Sequence, residues 1–344
     1  MLVDNGKYPV YGANGIIGRY DQFNHPDKEL LMTCRGATCG TINISLPYSW
    51  INGNAMVIHP LKNDIILDFL KYQLSALDLS VVITGAAQPQ ITRQSLSPLS
   101  ISIPPIEEQK KICSLLDKLN LVIEKKKEQI AELDNLSQSL FYDMFGDPTI
   151  NEKGWEVKKM GDFGSFQRGL LLQKKDFVEN GCPCIHYGQL HTSFGAYTTK
   201  HLTNISQELF SKSKIAHKGD LILALTSEDV EGSCKSTAWL GDYDIAVGSD
   251  AAIFSHNQGG IYLSFYTRTR AFYNEKDKYA RGFKVTHIKT SDIATFPICL
   301  PPLPLQQAFA EKVKAIEQQK ELINQSIKDV QTLFDAKMDY YFGD

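Results

Sequence analysis

Three groups of side chains in this sequence have types and spacings that could do chemistry. The first is a Cys-x-Cys-x-His run of Cys182, Cys184 and His186, with His191 nearby, whose spacing is compatible with zinc ligation. No second Cys/His cluster lies within reach in the sequence, and the alternation fits a β-strand equally well. We therefore expect a strand here and no metal site.

The second group is acidic. The Ser-Glu-Asp run at 227–229 and the carboxylates Asp242, Asp244 and Asp250 could serve as paired catalytic acids or as part of a nuclease site. They lack an accompanying lysine motif, and the sequence contains no phosphate loop or glycine-rich nucleotide fingerprint. We interpret them as acidic loop edges and expect no catalytic residue in the chain.

The third group suits the reading of nucleic-acid bases, which requires side chains with paired donors and acceptors. In the first hundred residues the candidates are Arg35, Gln88, Gln90 and Arg93. The two glutamines flank Pro89, which restricts the backbone and so fixes the loop geometry in advance. A turn whose amides satisfy the local backbone is an equally good interpretation of Gln88 and Gln90.

The second half of the chain has its own base-reading candidates and a basic cluster. The candidates are Gln189, Lys235, Lys284 and His287. Between residues 268 and 289, seven basic side chains face only Glu275 and Asp277; they are Arg268, Arg270, Lys276, Lys278, Arg281, Lys284 and Lys289. Such a cluster is suited to phosphate contacts, with Arg281, Lys284 and Lys289 as our candidates, although a solvated charge run is the alternative.

These candidates lie in two copies of one sequence unit. The motif Pro-Pro-Ile-Glu-Glu-Gln at 104–109 recurs as Pro-Pro-Leu-Pro-Leu-Gln at 301–306, and Phe-Gly-Asp at 145–147 recurs at 342–344, both at an offset of 197 residues. Upstream, Ile-Ser-Ile at 101–103 matches Ile-Cys-Leu at 298–300 at the same offset, in the alternating pattern of a strand. The repeat predicts a globular domain followed by a helix, twice.

Each copy ends in a segment with the heptad spacing of a helix that packs along another helix. The positions that we expect to pair are Ile112, Leu116, Leu119, Ile130 and Leu133 in the first copy and Phe309, Val313, Ile316, Ile327 and Val330 in the second. Polar seam positions in the first copy, Lys126 and Ser137, correspond to Ile323 and Phe334 in the second. This complementarity favours pairing of the two helices within one chain.

The repeat predicts four segments and an α+β fold. The segments are a first β-rich domain (1–103), a first helix (104–151), a second β-rich domain (152–302) and a second helix (303–344), with the two helices paired. The second domain opens with Gly-Trp-Glu-Val-Lys-Lys-Met-Gly-Asp at 154–162, which has no counterpart before Tyr8. We expect the first domain to be shorter by about twenty residues at its start.

Composition is compatible with such a folded protein. The chain has 344 residues, of which 43% are hydrophobic and 22% charged, and these values exclude a mainly disordered chain. It has no run of about 18 apolar residues and no secretory signal pattern, so we expect a cytoplasmic protein without a membrane contact. Seven cysteines suit free thiols better than a disulfide framework.

The net charge of −3 counts against a polyanionic partner only until it is mapped along the chain. The helix segment 104–151 carries 6 basic and 9 acidic residues, whereas the domain at 152–302 carries 18 and 16. The acidic helices favour protein partners along their shafts, and the slightly basic second domain is compatible with a nucleic acid.

In order and over almost the whole chain, these motifs resemble the DNA-specificity (S) subunit of type I restriction-modification systems. The resemblance is carried by the helix and repeat motifs above together with three segments: Tyr-Pro-Val-Tyr-Gly-Ala-Asn-Gly-Ile-Ile-Gly at 8–18, Arg-Gly-Ala-Thr-Cys-Gly at 35–40 and Gly-Ala-Ala-Gln-Pro-Gln-Ile at 85–91. It implies two target-recognition domains, each of which reads one half of a bipartite double-stranded DNA site. The two long helices would form an antiparallel coiled coil as the spacer, with a pseudo-two-fold axis relating the two halves of the chain.

The resemblance also implies partners. Two methyltransferase (M) subunits would carry S-adenosylmethionine, and restriction (R) subunits would use ATP and Mg, while this chain would hold no cofactor and perform no catalysis. A second hypothesis is a protein-interaction scaffold that reads no DNA, because the shortened first domain is inactive.

Overall fold

A computed structural model describes residues 2–85, 88–279 and 286–343 of the chain. Its internal contacts divide the chain into unit 1, residues 1–129 and 322–344, and unit 2, residues 130–321. Both units include part of each of two long helices, which span Ile106–Phe145 and Leu303–Phe342 with 40 residues each.

Unit 1 begins with six strands in its described residues, followed by helices. The strands are β1 (Tyr8–Gly12), β2 (Gly15–Tyr20), β3 (Leu30–Thr33), β4 (Ile42–Ile44), β5 (Trp50–Ile51) and β6 (Ala55–Ile58); the helices are α1 (Leu67–Ala76), a 3-10 turn (Leu79–Val82), α2 (Arg93–Leu96) and the start of α3 (Ile106–Phe145). They form two three-stranded sheets with the orders β2-β1-β5 and β4-β3-β6. Only the β1–β5 pair is parallel among these pairs.

The core of unit 1 lies on both faces of β3. Leu30 and Met32 point to one face and pack with Leu70 and Leu74 of α1, while Leu31 points to the other face and packs with Tyr11. Because alternate residues of a strand face opposite sides, a strand that is apolar throughout is buried on both of them.

Unit 2 repeats this plan with more elements. Its strands are β7 (Glu156–Lys159), β8 (Gly164–Arg168), β9 (Phe177–Val178), β10 (Cys182–Ile185), β11 (Tyr197–Thr198), β12 (Thr203–Ile205), β13 (Ile215–Ala216), β14 (Leu221–Ala224), β15 (Thr226–Ser227), β16 (Ser236–Trp239), β17 (Ile245–Val247), β18 (Ala251–His256), β19 (Thr286–His287) and β20 (Pro297–Leu300). Its helices, besides the end of α3 and a 3-10 turn (Lys174–Asp176), are α4 (Met160–Phe163), α5 (Tyr187–Thr192), α6 (Gln207–Lys212), α7 (Gly260–Tyr266), α8 (Arg270–Asp277), α9 (Thr290–Ile293) and the start of α10 (Leu303–Phe342).

Two five-stranded sheets of unit 2 include strands that correspond to the two three-stranded sheets of unit 1. Their orders are β13-β17-β10-β12-β9 and β11-β16-β14-β18-β8. The parallel pair β10–β17 matches β1–β5, and β14 between β16 and β18 matches β3 between β4 and β6. Unit 2 has additional edge strands, and two of them, β7 and β8, come from the 154–168 segment.

In each unit, the start of one long helix packs against the end of the other, so the helices run antiparallel there. In unit 1, Ile112 and Leu116 of α3 share a cluster with Phe342 of α10. In unit 2, Phe309 of α10 packs edge-to-face on Phe145 of α3, with ring centroids 5.2 Å apart. The α+β fold predicted from the sequence is confirmed.

The predicted helix-pairing residues fall into two groups by exposure. Those near the globular parts are buried, namely Ile112, Leu116, Phe309, Val313 and Ile316. Those nearer the middle of the helices are half-buried, namely Leu119, Ile130, Leu133, Ile327 and Val330. The seam also carries a polar cross-link, since Lys320 of α10 donates to Asp134 of α3 at 2.6 Å. Which of these residues drive pairing stays a prediction, as do the four segment boundaries.

The described residues contain neither a membrane-spanning helix nor a disulfide bond. In the part of the chain that the structure covers, no helix is both long and apolar enough to cross a membrane. All seven cysteines are free thiols, and five of them are buried.

A buried glutamine attaches each long helix to its domain. In unit 1, Gln109 is 1% exposed; its Oε1 accepts from the Ile66 amide at 2.9 Å, and its Nε2 donates to the carbonyls of Asp64 and Pro104 at 2.9 and 2.8 Å. The side chain therefore satisfies three backbone groups of the domain and of the turn into the helix.

Gln306 does the same in unit 2. It is fully buried, its Oε1 accepts from the Gly259 amide at 2.8 Å, and its Nε2 donates to the carbonyl of Pro301 at 2.8 Å and to Gln258 Oε1 at 2.9 Å. The glutamine at the end of each proline motif thus has the same structural role in both units.

Replacing either glutamine by leucine should destabilise its own unit by roughly 2–4 kcal/mol, because two or more buried polar groups lose their partners. Hydrogen exchange should locate the effect: α1 amides should exchange faster in Gln109→Leu, and α7 amides in Gln306→Leu. The matched control is Gln307→Leu, which changes an exposed glutamine on the same helix. Equal exchange in all three variants would contradict the assigned role.

Candidate nucleic-acid interface

Two loops of unit 1 bring together the base-reading candidates. Arg35, just after β3, forms an antiparallel bridge with Gln90. Around it, the Ile91 amide donates to the carbonyl of Cys34 at 3.0 Å, and the Gly36 amide donates to the carbonyl of Pro89 at 3.0 Å. The backbone of both loops is therefore occupied by contacts between them, which leaves the side chains for other partners.

The side chains at this place are available. Arg35 and Gln88 are exposed and Gln90 is half-buried, and none of the three has a hydrogen bond or ion pair to another side chain in the described part of the unit. Arg93 is also exposed, at the start of α2, where a Thr92–Ser95 capping box fixes the turn. For these two glutamines, base reading and hydrogen bonding to the local backbone both stay predictions.

Gly85 allows the tight turn that brings Thr84 and Gln90 together. Gly85 has φ of +87°, and a Cβ there would lie 2.5 Å from the carbonyl oxygen of Gln88. Thr84 and Gln90 close the turn by exchanging two backbone hydrogen bonds of 2.9 and 2.8 Å. The adjacent Ala86 and Ala87 lie outside the described residues.

Unit 2 builds the same pair of loops. The short strand β15 follows β14 as Arg35 follows β3, and it pairs with β19, so that Thr226 faces His287. The Ile288 amide donates to the carbonyl of Leu225 at 3.1 Å, which repeats the contact of Ile91 with Cys34. Thr226 and His287 thus occupy the places of Arg35 and Gln90.

Of the candidates in unit 2, His287 and Lys289 face solvent at this place. His287 is exposed, with its Nδ1 3.1 Å from Thr226 Oγ1, and Lys289 is exposed at the N-cap of α9. They line an open cleft together with Arg168 of β8. Sequence reasoning missed Arg168, because only the β8–β18 pairing brings it here.

Lys235 and Gln189 are used inside the domain. Lys235 donates to the carbonyl of His191 at 2.8 Å, and burial lowers its pKa. Gln189 is buried; its Oε1 accepts from the His186 amide at 3.2 Å, and its Nε2 donates to Thr203 Oγ1 at 3.4 Å. These contacts commit the Gln189 amide to the start of α5 and to Thr203 of β12.

The basic cluster divides into members with different surroundings. Arg281 and Lys284, the remaining candidates, lie outside the described residues. Lys278 is exposed and pairs with Glu275 at 2.7 Å. Lys276 is 3% exposed, and it donates to the carbonyls of Glu231 and Ser233 at 2.6 and 2.7 Å. Burial lowers the Lys276 pKa, and the side chain is not available to a phosphate.

The role of Lys276 is to hold the 229–233 loop, which follows β15 and corresponds to the loop after Arg35. Its two carbonyl contacts, to Glu231 and Ser233, lie two residues apart in that loop. A buried ammonium with two carbonyl acceptors is an internal support rather than a ligand-binding charge.

Lys276→Met should therefore speed hydrogen exchange in residues 229–233 and lower the free energy of unfolding of unit 2 by about 2–3 kcal/mol, because two charge-assisted hydrogen bonds are lost. Lys278→Met removes the same charge two residues away and should do neither. If both variants exchange alike in this loop, Lys276 does not support it.

The metal hypothesis has no support in this geometry. Cys182 Sγ donates to Gln207 Oε1 at 2.9 Å and Cys184 Sγ lies 3.2 Å from Thr203 Oγ1, on the strand β10. Among the residues with described positions, no group of three or more His, Cys, Asp or Glu side chains is placed to hold a metal ion.

Two similar domains with exposed arginine, glutamine, histidine and lysine loops, each attached to a long helix, define a nucleic-acid-reading scaffold. The chain belongs to the family described as "Type I restriction modification DNA specificity domain", whose model matches residues 2–135 and 152–332. The predictions of a specificity subunit, of DNA recognition and of a non-catalytic role are confirmed by this membership.

Individual relatives agree. The chain is 24% identical to the type I restriction enzyme MjaVIII specificity subunit of Methanocaldococcus jannaschii over 379 residues, which cover 97% of this chain and 87% of the relative. It is 30% identical to the EcoprrI specificity subunit of Escherichia coli over 113 residues, or 33% of this chain and 28% of that subunit.

Solved structures agree on the fold. The S subunit of a type I restriction-modification system from M. genitalium matches with a TM-score of 0.55 at 14% identity, over 100% of this chain and 90% of that one. A chain from a structure of type I R-M complex assembly and conformational transition matches with a TM-score of 0.57 at 18% identity, over 92% and 82%.

Proposed function

We propose that each recognition domain, 1–103 and 152–302, reads one half of a bipartite double-stranded DNA site, and that the helices at 104–151 and 303–344 set the spacing between the half-sites. The observation that carries this proposal is the loop pair built in both units, Arg35 against Gln90 and Thr226 against His287. Arginine and glutamine can each form two hydrogen bonds to a base edge, and a lysine such as Lys289 can contact phosphate.

The two loop pairs need not read the same bases. Unit 1 presents Arg35, Gln88 and Gln90, whose donor and acceptor patterns suit guanine and adenine in the major groove. Unit 2 presents His287 with Arg168 and Lys289 nearby. Different side chains on one backbone frame give an asymmetric recognition sequence, which is the expected result of a repeat that has diverged at its loops.

Arg35→Ala should weaken specific binding about 10- to 100-fold and relax the sequence requirement in one half-site only, because a bidentate base contact is worth about 1–3 kcal/mol. Lys289→Ala should weaken binding to all sequences alike and reduce the salt dependence by about one charge. Both are measured by fluorescence anisotropy over a range of salt, with the subunit in complex with its M subunits.

Lys28→Ala is the matched control, since Lys28 is exposed just before β3, at the strand end opposite Arg35. Its affinity and salt dependence should match the unmodified chain. An Arg35→Ala variant that keeps the sequence preference of both half-sites would remove Arg35 from base reading.

We further propose two M subunits as partners, with S-adenosylmethionine on them, and R subunits with ATP and Mg reached through the complex, all in the cytoplasm. In this proposal, the chain itself binds no cofactor. Support comes from Leu136 and Leu333, which are 197 residues apart and 50% and 46% exposed, one in each unit. Exposed leucines at equivalent places on acidic helices suit two equivalent protein contacts.

Leu136→Arg and Leu333→Arg should each remove one M subunit from the complex, and the double variant should remove both, as counted by native mass spectrometry. Both positions are exposed, so folding should be unaffected. Full occupancy in the double variant would place M docking elsewhere.

The alternative, a scaffold that reads no DNA because the first domain is incomplete, is disfavoured. The family match includes residues 2–135, and the described part of unit 1 contains the Arg35–Gln90 bridge with Arg35 exposed. Sequencing of methylated sites in cells that express the chain with its M subunit would decide between the two, since a bipartite motif requires both domains to read.

A further inference from the structure

The 154–168 segment of unit 2 completes two edges of its domain. Strand β7 pairs with β20, and β8 pairs with β18 over five residue pairs. Between them the Met160 amide donates to the carbonyl of Phe296 at 3.0 Å, and the Gly161 amide donates to the carbonyl of Ala294 at 2.9 Å. The segment also places Met160, which is 0% exposed, in the core.

Unit 1 has the acceptors of this segment without the segment. Its β6 corresponds to β18, since Ala55 pairs with Thr33 as Ala251 pairs with Ala224. Its residues 101–103 correspond to β20 by the 197-residue offset. In the described part of unit 1, β6 is the edge of its sheet, and no strand pairs with residues 101–103.

The two units also differ in their backbone hydrogen bonds a few residues earlier in the chain. The carbonyls of Ser97 and Leu99 correspond to those of Ala294 and Phe296 at the 197-residue offset. Neither accepts a hydrogen bond from the described residues, whereas both counterparts do. Open backbone acceptors in the same register as occupied ones specify the position of a missing strand.

Apolar burial is incomplete at the same place. In unit 2, Phe296 and Ile298 are 0% and 1% exposed. Their counterparts Leu99 and Ile101 belong to the core cluster of unit 1 but are only half-buried. At the end of the 101–103 segment, Ile103 lines an open cleft together with Lys62, Asp64 and Leu61, and Leu61 is 96% exposed. An apolar surface of this kind on an open sheet edge marks a contact site.

We propose that unit 1 binds, along β6 and residues 101–103, a polypeptide segment from outside these 344 residues with the residue pattern of Trp155 to Arg168. The pattern is Trp-x-Val, then Met-Gly-Asp-Phe, then Gly-x-Phe. In unit 2 the Trp155 indole donates to the carbonyl of Phe145 at 2.8 Å, and the corresponding carbonyl in unit 1 belongs to Phe342. The added strands complete the two edges by β-augmentation.

A second copy of this chain is not the occupant. Its own 154–168 segment is already paired with β18 and β20 of its unit 2, and moving it would open those edges at the same cost. The proposal does not rest on base reading, because its evidence is the open backbone acceptors and half-buried apolar residues of unit 1 and not its loop pair.

The test is hydrogen exchange of the full chain with and without a synthetic peptide of residues 153–169. Alone, the amides of residues 56–58 and 101–103 should exchange rapidly, while residues 252–254 and 298–300 of unit 2 exchange slowly and serve as the internal reference. Saturating peptide should slow exchange at the unit 1 positions at least about tenfold, since ladder hydrogen bonds protect edge amides.

The control peptide carries Val157→Pro and Phe166→Pro, which remove amide donors from the two strands. It should not protect. Unchanged exchange with the unmodified peptide would overturn the proposal. So would slow exchange at residues 56–58 and 101–103 in the absence of peptide together with a dimeric mass in light scattering, because a second copy would then cover the edge.

A fusion of residues 153–169 ahead of Met1 through a flexible linker provides an independent arm. The fused chain should show protected unit 1 edges and should no longer bind the free peptide. Fused chains whose edges exchange as fast as before would also overturn the proposal, even if DNA binding is intact.

Discussion

The rest of the structure depends on the buried amide that attaches each long helix to its domain. A helix start has free amide groups and no fixed direction, and in this chain it follows two prolines that cannot donate hydrogen bonds. Gln109 and Gln306 fix the direction of the helix by bonding to the domain and to the proline carbonyl at once. Because the side chain is an amide, one residue supplies the donor and the acceptor that the site needs.

This attachment has a consequence for recognition. A reading loop is specific only if its side chains are held in a defined geometry before DNA arrives. Within each unit, the loops pair with each other through backbone hydrogen bonds, they lie beside a strand buried on both faces, and the domain is fixed to its helix by the glutamine. Side chains such as Arg35 and His287 can therefore differ between units while the frame is kept.

The sequence could predict the features that repeat or have a period. The 197-residue offset and the heptad spacing predicted the two long helices, and the resemblance identified the family that the comparison with known proteins confirmed. The sequence could not predict which polar residues are buried inside a domain. Lys276 and Gln189 have the same residue types as surface contacts, and only the position of α8 over the 229–233 loop and of α5 over β12 buries them.

Exposure along the helices shows the same limit. Leu136 and Leu333 are apolar in both copies, and the repeat alone marks them as part of the conserved pattern, yet both lie off the seam and face solvent. A heptad position reports its angle around the helix, whereas burial depends on which angle the partner covers. Matched apolar positions in a repeat therefore include both internal contacts and solvent-exposed positions.

The difference in length between the two domains has a physical meaning that counting residues does not reveal. About twenty residues missing from a loop would leave a sheet unchanged, since long surface loops are tolerated at small cost. Here the unmatched residues are β7, β8 and the turn of α4, which supply hydrogen bonds and apolar cover to the domain. The shorter domain keeps the backbone pairing of the two loops, but it has open acceptors at the carbonyls of Ser97 and Leu99 and a half-buried Ile101. The unmatched strand β8 also carries Arg168, which lies beside the loop pair in unit 2, so a segment that completes the open edge of unit 1 would place its Arg168 counterpart beside the Arg35–Gln90 pair.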